Sequence, residues 1–431
     1  MSLLSWLADR ARTTAEKPFL IEGGKTWSYG DVYAASQVAA AHLIELGVRP
    51  GDRVLLGLPN GIEHCISTYG ILYAGATVAL VNPRFTQFEI EQFARICTPH
   101  LAIADPLNAA FANMSLKRVS PTALRMAARS PNGPRASPQG LAFLLPTSGT
   151  TGEPKAVMLE DAAVTANALQ MARRKEISEE DRALCSLPLF HCSGQVAALQ
   201  SIMVSGASMV ILKVITPELI LNGICSLRAS IISGVPAVYQ NLIALNKRMP
   251  VDLSSLRLCL TSSAPMPLEL IARVERELGG YILESYGLTE CSAGVTGNPV
   301  ARRKHGTVGP ALPDTEIKII DEAGAPLEAG RAGEVYIRGP QLMAGYFGNP
   351  AATREVLTED GWFKSGDLGD VDSEGYLTIR SRKKDFIKCS GFGVYPAEVE
   401  NVVREVDGVT DATVIGLPDR LSGETVHVAI I

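Results

Sequence analysis

Over roughly the first three hundred residues the chain repeats one hydrophobic rhythm: an apolar helical segment, a glycine, then a short run that is apolar throughout. "GATVALV" begins at Gly75, "GASMVIL" begins at Gly206, and "ERELGGYILESYG" runs from Glu275. Strands that are apolar on both faces and alternate with helices predict parallel sheets covered on both sides. We therefore expect an α/β fold whose large N-terminal domain holds two related α/β halves, at about 1–180 and 181–300. From about Ala301 the pattern changes. "HGTVGPALPDTEIKIID", "GEVYIRGP" and "GYLTIRSRKK" are short alternating strands broken by Gly, Pro and Asp. They predict a small antiparallel, β-barrel-like subdomain at 301–383. "YPAEVENVVREVDGVTDATVIGLP" then returns to one helix and one strand. Pro396 suits the first helical turn, and Val399, Val402 and Val403 mark an apolar face. Residues 384–431 thus read as a hinge and a partial small α+β C-terminal domain. The Ser/Pro/Arg-rich segment 115–140 reads as a solvated surface excursion.

Composition narrows the classes. The 431 residues are 46% hydrophobic and 20% charged, with 40 Lys and Arg against 45 Asp and Glu, a net charge of −5. A mildly acidic chain offers no electrostatic case for nucleic acid. Two long charge-free runs, Cys65 to Pro83 and Leu184 to Leu212, contain glycines and read as buried helix–glycine–strand units, so no transmembrane segment is expected. The start "MSLLSWLADR" is too short in its apolar stretch for a signal peptide. The eight cysteines are scattered, with no CxxC pair, which suits reduced thiols in a cytoplasmic protein.

Candidate chemistry concentrates in "LLPTSGTTGEPKAVML", residues 144–159. A Walker loop needs Gly, four residues, then Gly-Lys-Ser/Thr leading into a helix. Here Gly149 and Gly152 are too close together, and Lys155 follows Pro154. The apolar flanks predict a hairpin between strands. Its tip is still suited to phosphate. Gly149 and Gly152 free backbone N–H groups, Thr147, Ser148, Thr150 and Thr151 supply hydroxyls, and Lys155 supplies a positive charge. An ordinary polar hairpin tip would share part of this composition.

"PTSGTTGEPKAVM" resembles the phosphate-loop signature of the acyl-adenylate-forming superfamily, which includes AMP-forming acyl- and aryl-CoA synthetases, peptide-synthetase adenylation domains and firefly-type luciferases. The resemblance continues in the family's order through "SLPLFHCSG" (186–194), "TSSAPMP" (261–267), "ESYGLTECS" (284–292), "GWFKSGDLG" (361–369), "SRKKDFI" (381–387) and "SGFGVYPAEVE" (390–400). It looks nearest to the acyl-CoA ligases.

The resemblance implies a two-step reaction. A carboxylate attacks the α-phosphate of ATP to give acyl-AMP and pyrophosphate, and a thiol then takes the acyl group as a thioester. It implies ATP, Mg²⁺ and CoA (or a carrier-protein phosphopantetheine) as cofactors and co-substrates. Lys155 and the loop residues would hold phosphate. Within 284–290, Glu284, Ser285, Tyr286 and Gly287 would line the nucleotide site with Tyr286 on the adenine. Thr289 would reach the α-phosphate and Glu290 would hold the metal. Ser263, Ala264 and Pro265 would line the adenine pocket. Asp367 and Arg382 would contact the ribose. His191 would lie near the substrate carboxylate, Lys384 would mark the domain hinge, and Gly391 would let backbone pass the pantetheine thiol. Ser381 replaces a more usual glycine, and Gly393 stands where many members carry Asn.

Amino-acid-activating relatives place an aspartate near the "PLFH" segment, whereas residues 188–196 carry no acid. We expect a carboxylic acid without an α-amine and with an apolar acyl or aryl tail, walled by His191, Cys192, Val196, Val235, Tyr239 and Gly287. The family's small domain also continues past the point matching Ile431 and carries a catalytic lysine there. No matching segment lies within these residues, so we expect them to be part of a longer chain. The alternatives are a ligase that loads an acyl carrier protein, or, if that lysine is absent, a non-catalytic acyl-AMP or ATP binder.

Overall fold

The computed structural model describes residues 2–112, 114–125, 135, 140–148, 154–262, 266–389, 392–419 and 423–431. Two large sheets dominate. One has eight strands in the order Thr296–Gly297, Tyr281–Tyr286, Leu258–Thr261, Ile231–Ser233, Arg182–Cys185, Ser208–Ile211, Pro18–Glu22 and Lys25–Ser28. The other has seven, in the order Gly345–Tyr346, Pro154–Glu160, Leu141–Ser148, Thr77–Leu80, Arg53–Gly57, Leu101–Ala104 and Arg118–Val119. Their central pairings are parallel, as the unbroken apolar runs demand.

Connectivity departs from a simple division of the chain into halves. Pro18–Glu22 pairs in parallel with Ser208–Ile211, so the chain's first strands join the sheet built mainly from residues 182–297. Side chains fix that exchange. Ser208 Oγ donates to Pro18 O at 2.7 Å, and the buried Tyr29 hydroxyl donates to Ala207 O at 2.7 Å while its ring stacks on Phe19. The glycine of the repeating rhythm has a definite task at Gly206. With φ of 73° it ends the helix Ser201–Ser205 in the left-handed conformation, and the chain turns into its strand. Both charge-free runs form interior helix and strand. The helix Ile62–Tyr73 is buried almost throughout, and among the described residues no helix is long and apolar enough to cross a membrane.

Two smaller four-stranded sheets follow, both antiparallel. The first runs Glu316–Ile320, Gly333–Arg338, Phe363–Val371, Leu377–Arg382. The second runs Phe392–Val394, Ile387–Cys389, Gly423–Ile430, Ala412–Asp419, with the helix Pro396–Arg404 packed beside it. Between them lies the short 3₁₀ turn Lys383–Asp385.

Candidate active site

The segment 144–159 forms the hairpin that its flanks predict. Leu141–Ser148 pairs antiparallel with Pro154–Glu160, and Thr147 stands opposite Lys155. The tip residues Gly149, Thr150, Thr151 and Gly152 lie outside the described residues, as do Ser263, Ala264, Pro265 and Gly391. Ser148 is described in its backbone alone. Lys155 extends over the ring of Tyr346, its Nζ 4.9 Å from the ring centroid. Tyr346 belongs to the edge strand that pairs with the hairpin, opposite Val157.

That phenol joins two charges. Its hydroxyl donates to Glu290 Oε1 at 3.0 Å, and Glu290 O accepts the Met343 N–H at 2.8 Å. A cation on the ring face and a carboxylate on the hydroxyl thus share one side chain. Glu290 sits in the 3₁₀ turn Thr289–Cys291 that follows the strand Tyr281–Tyr286. The approach to this turn is tight: a Cβ on Gly287 would collide with the Ala293 carbonyl oxygen. Thr289 Oγ1 lies 3.5 Å from Cys192 Sγ, which ties the turn to the His191 loop.

A second chain of polar contacts starts at Tyr286. Its hydroxyl donates to Asp367 Oδ2, and Arg382 Nε lies 2.9 Å from Asp367 Oδ1. Asp367 and Arg382 are direct cross-strand partners in their antiparallel sheet. Asp367 is only 3% exposed. Burial raises its pKa, while Tyr286 and Arg382 work against that rise. Ser365 fixes the backbone beneath it, accepting the Asp367 N–H at 3.0 Å and donating to Val335 O at 2.7 Å. Glu284, two residues before Tyr286, is buried, and desolvation pushes its pKa up to about 7. It accepts the Gly306 N–H at 3.2 Å, with His305 Nδ1 3.5 Å away. Ser285 Oγ donates to Thr261 O at 3.3 Å.

His191 opens to solvent from a recess that lowers its pKa by desolvation. His191 Nδ1 lies 2.9 Å from Ser193 Oγ and 3.3 Å from the Ser193 backbone nitrogen. Beside Ser193 is a cavity of about 80 Å³, lined among others by Met171, Lys175, Val235, Leu260 and Ser285. Of the expected wall residues only Val235 lines it. Tyr239 is fully buried with its hydroxyl donating to Leu260 O, Val196 is buried in the main core, and Cys192 is buried against Thr289. A larger open recess of about 420 Å³ along the N-terminal helix contains none of these residues. Lys384 is exposed in the turn Lys383–Asp385, where its neighbour Lys383 pairs with Glu334 at 2.6 Å.

The structure therefore gathers Lys155, Tyr286, Thr289, Glu290, Asp367 and Arg382 from three sheets and the turn Thr289–Cys291. It adds Tyr346 and Ser365, which the sequence pattern does not single out. Tyr346 lies in "LMAGYFGNP", where only a Gly-aromatic pair before a Pro-initiated helix hints at an edge strand. Among the described residues no three His, Cys, Asp or Glu side chains gather into a metal-binding group.

Residues 7–347 match the family model described as AMP-binding enzyme. A feruloyl-CoA synthase from Amycolatopsis is 32% identical over 99% of this chain and 88% of its own length. A ligase from Mycobacterium tuberculosis that forms the CoA thioester of a methyl-dioxo-octahydroindenyl propanoate is 35% identical over 90% of this chain and 80% of its own. A long-chain-fatty-acid–CoA ligase from Escherichia coli is 31% identical over 100% and 85%. Among solved structures, ATP-bound MatB from Rhodopseudomonas palustris superposes with a TM-score of 0.91 at 28% identity, covering 100% of this chain and 88% of that one. The o-succinylbenzoate CoA synthetase of Bacillus subtilis, bound to its acyl-adenylate, gives 0.90 at 29%, covering 99% and 87%. With its α/β architecture and the convergence of Lys155, Glu290 and Asp367, the chain belongs to the AMP-binding enzyme family and is an AMP-forming acid–CoA ligase, which activates a carboxylic acid with ATP and passes the acyl group to CoA.

Proposed function

We propose that the two contact chains divide the nucleotide between them. Lys155, Tyr346, Thr289 and Glu290 hold the phosphates, and Tyr286, Asp367 and Arg382 hold the nucleoside. The observation that carries this reading is the pair of phenols. Tyr286 is anchored on Asp367 and Tyr346 on Glu290, and only three residues lie between Tyr286 and Glu290 in the chain. The attack of a carboxylate on a phosphate brings anions together, so donors and cations already in place lower the barrier. Lys155 supplies the charge. A neutral His191 can donate to the acid's oxygen and orient it. Glu290 is a single hard oxygen ligand. That fits Mg²⁺, which takes its other oxygens from phosphate and water and, when bound, screens phosphate charge.

The acid in this reading is small and lacks an α-amine. Among the described residues no carboxylate lines the cavity beside Ser193, which instead holds a lysine, a poor neighbour for an ammonium. Met171, Leu187, Ala197, Val235 and Leu260 give it an apolar wall suited to an acyl or aryl body. The large domain is taken as 1–383, with the hinge at Lys384. A cytoplasmic location agrees with eight cysteines that are all unpaired. The test is pyrophosphate release across a panel of acids, with Lys155→Ala alongside. ATP–pyrophosphate exchange that survives Lys155→Ala unchanged would sink the phosphate assignment.

A further inference from the structure

Lys175 closes the helix Asp161–Arg174 and turns inward, leaving only 6% of the residue exposed. A cation at a helix C-terminus is ordinary, but Arg173 and Arg174 already occupy that last turn. Arg174 donates to the carbonyls of Gly297 and Ala311 at 2.9 and 2.7 Å. The Lys175 ammonium has three N–H donors and makes one long hydrogen bond, 3.4 Å to Ala197 O, a carbonyl within the π-helix Ser193–Gln200. No acidic side chain pairs with it among the described residues. Burial alone lowers its pKa, to about 8, so at neutral pH it is still mainly charged. A buried charge without a counter-ion is expensive and is rarely kept without a use.

The ammonium lies on the wall of the cavity beside Ser193, among the hydroxyl residues Ser233, Ser262 and Ser285. The cavity is small, about 80 Å³, with space for a compact polar group such as a carboxylate against its apolar wall. We propose that Lys175 binds a second, distal carboxylate of the substrate, so that the preferred acids are small dicarboxylates activated at the end nearer His191. This rests on the reading that the cavity is part of the acyl pocket. The distal anion supplies the missing partner of the lysine, and the serine hydroxyls complete its hydrogen bonds.

The test compares straight-chain dicarboxylates with monocarboxylates of equal length by pyrophosphate release, in the unmutated protein and in Lys175→Met. Methionine fills a similar volume without charge, and such replacements of buried ions are often neutral or stabilising. A thermal melt checks that the variant folds. The unmutated protein should favour one dicarboxylate over its monocarboxylate partner in kcat/KM by about 100-fold, the scale of one desolvated charge-assisted contact. Lys175→Met should erase that preference while leaving monocarboxylate turnover within a few-fold. A monocarboxylate preference in the unmutated protein overturns the proposal. So does a Lys175→Met variant that slows both classes equally, since that is what a structural lysine predicts. Val235→Trp separates the underlying reading: filling the acyl pocket should suppress both classes. If both persist at full rate, the cavity is not the acyl pocket, and the assignment of Lys175 falls with it.

Discussion

Asp367→Asn isolates the nucleoside half of the site. A carboxylate has about four lone-pair positions. In this structure Oδ2 takes the Tyr286 hydroxyl and Oδ1 faces Arg382 Nε at 2.9 Å, leaving one acceptor position on each oxygen, enough for a vicinal diol. Asparagine keeps the shape. Its oxygen can still face Arg382 and its NH₂ can face Tyr286, so the fold should survive. The ribose, however, would meet one neutral acceptor and one donor in place of two charged acceptors. One charge-assisted hydrogen bond is lost, at about 1.5–3 kcal/mol, and another is weakened by about 1 kcal/mol. The sum, about 2–4 kcal/mol, predicts a loss of ATP affinity between roughly 30-fold and 900-fold. Tyr286→Phe keeps both carboxylate oxygens and the ring, removing one anchoring bond, so it should cost only about 1 kcal/mol, near 5-fold. ATP affinity is read from ATP–pyrophosphate exchange as a function of ATP concentration, with a thermal melt on each variant. An Asp367→Asn protein that melts normally and binds ATP within 2-fold of the parent would refute the division of labour. Because burial raises the Asp367 pKa, protonation should also weaken ATP binding as pH falls, a limb that Asp367→Asn lacks.

Tyr346→Phe keeps the ring under Lys155 and removes the bond to Glu290, so kcat for pyrophosphate release should fall by about 5- to 10-fold. Tyr346→Ala, which also takes away the ring, should fall further, and equal losses would show that the ring contact contributes nothing. Glu284 predicts a pH effect on stability. Its folded pKa of about 7 lies above the ordinary 4.5, so its contribution is full below pH 4.5 and is lost as pH rises through 7, by roughly 3 kcal/mol. Denaturant melts at pH 5 and 8 should therefore differ less for Glu284→Gln than for the parent, and an unchanged difference would mean that Glu284 is ionised at little cost.

Legibility in the sequence followed the reach of each signal. The helix–glycine–strand rhythm and the flanks of the phosphate hairpin are local, and both appear as read, because apolar runs leave few ways to bury a strand. What local pattern does not carry is the partner of an edge. "KPFLIEGGKTWS" reads as two strands. Their pairing with Ser208–Ile211 depends on Ser208 and Tyr29, side chains that look ordinary until the chain is folded. The site divides in the same way. Asp367 and Arg382 stand within recognisable motifs, but their registration across a β-ladder is a tertiary fact. Lys175 shows the limit most sharply. In "QMARRKEISEED" it is the third of three basic residues at a helix end, where periodicity and the helix dipole predict solvent for all three. Arg174 instead turns to the carbonyls of Gly297 and Ala311, and Lys175 is left facing a cavity. Specificity for the acid thus rests on the residue that sequence reasoning would most readily assign to the surface. Its burial, rather than its motif, is what gives it a partner to find.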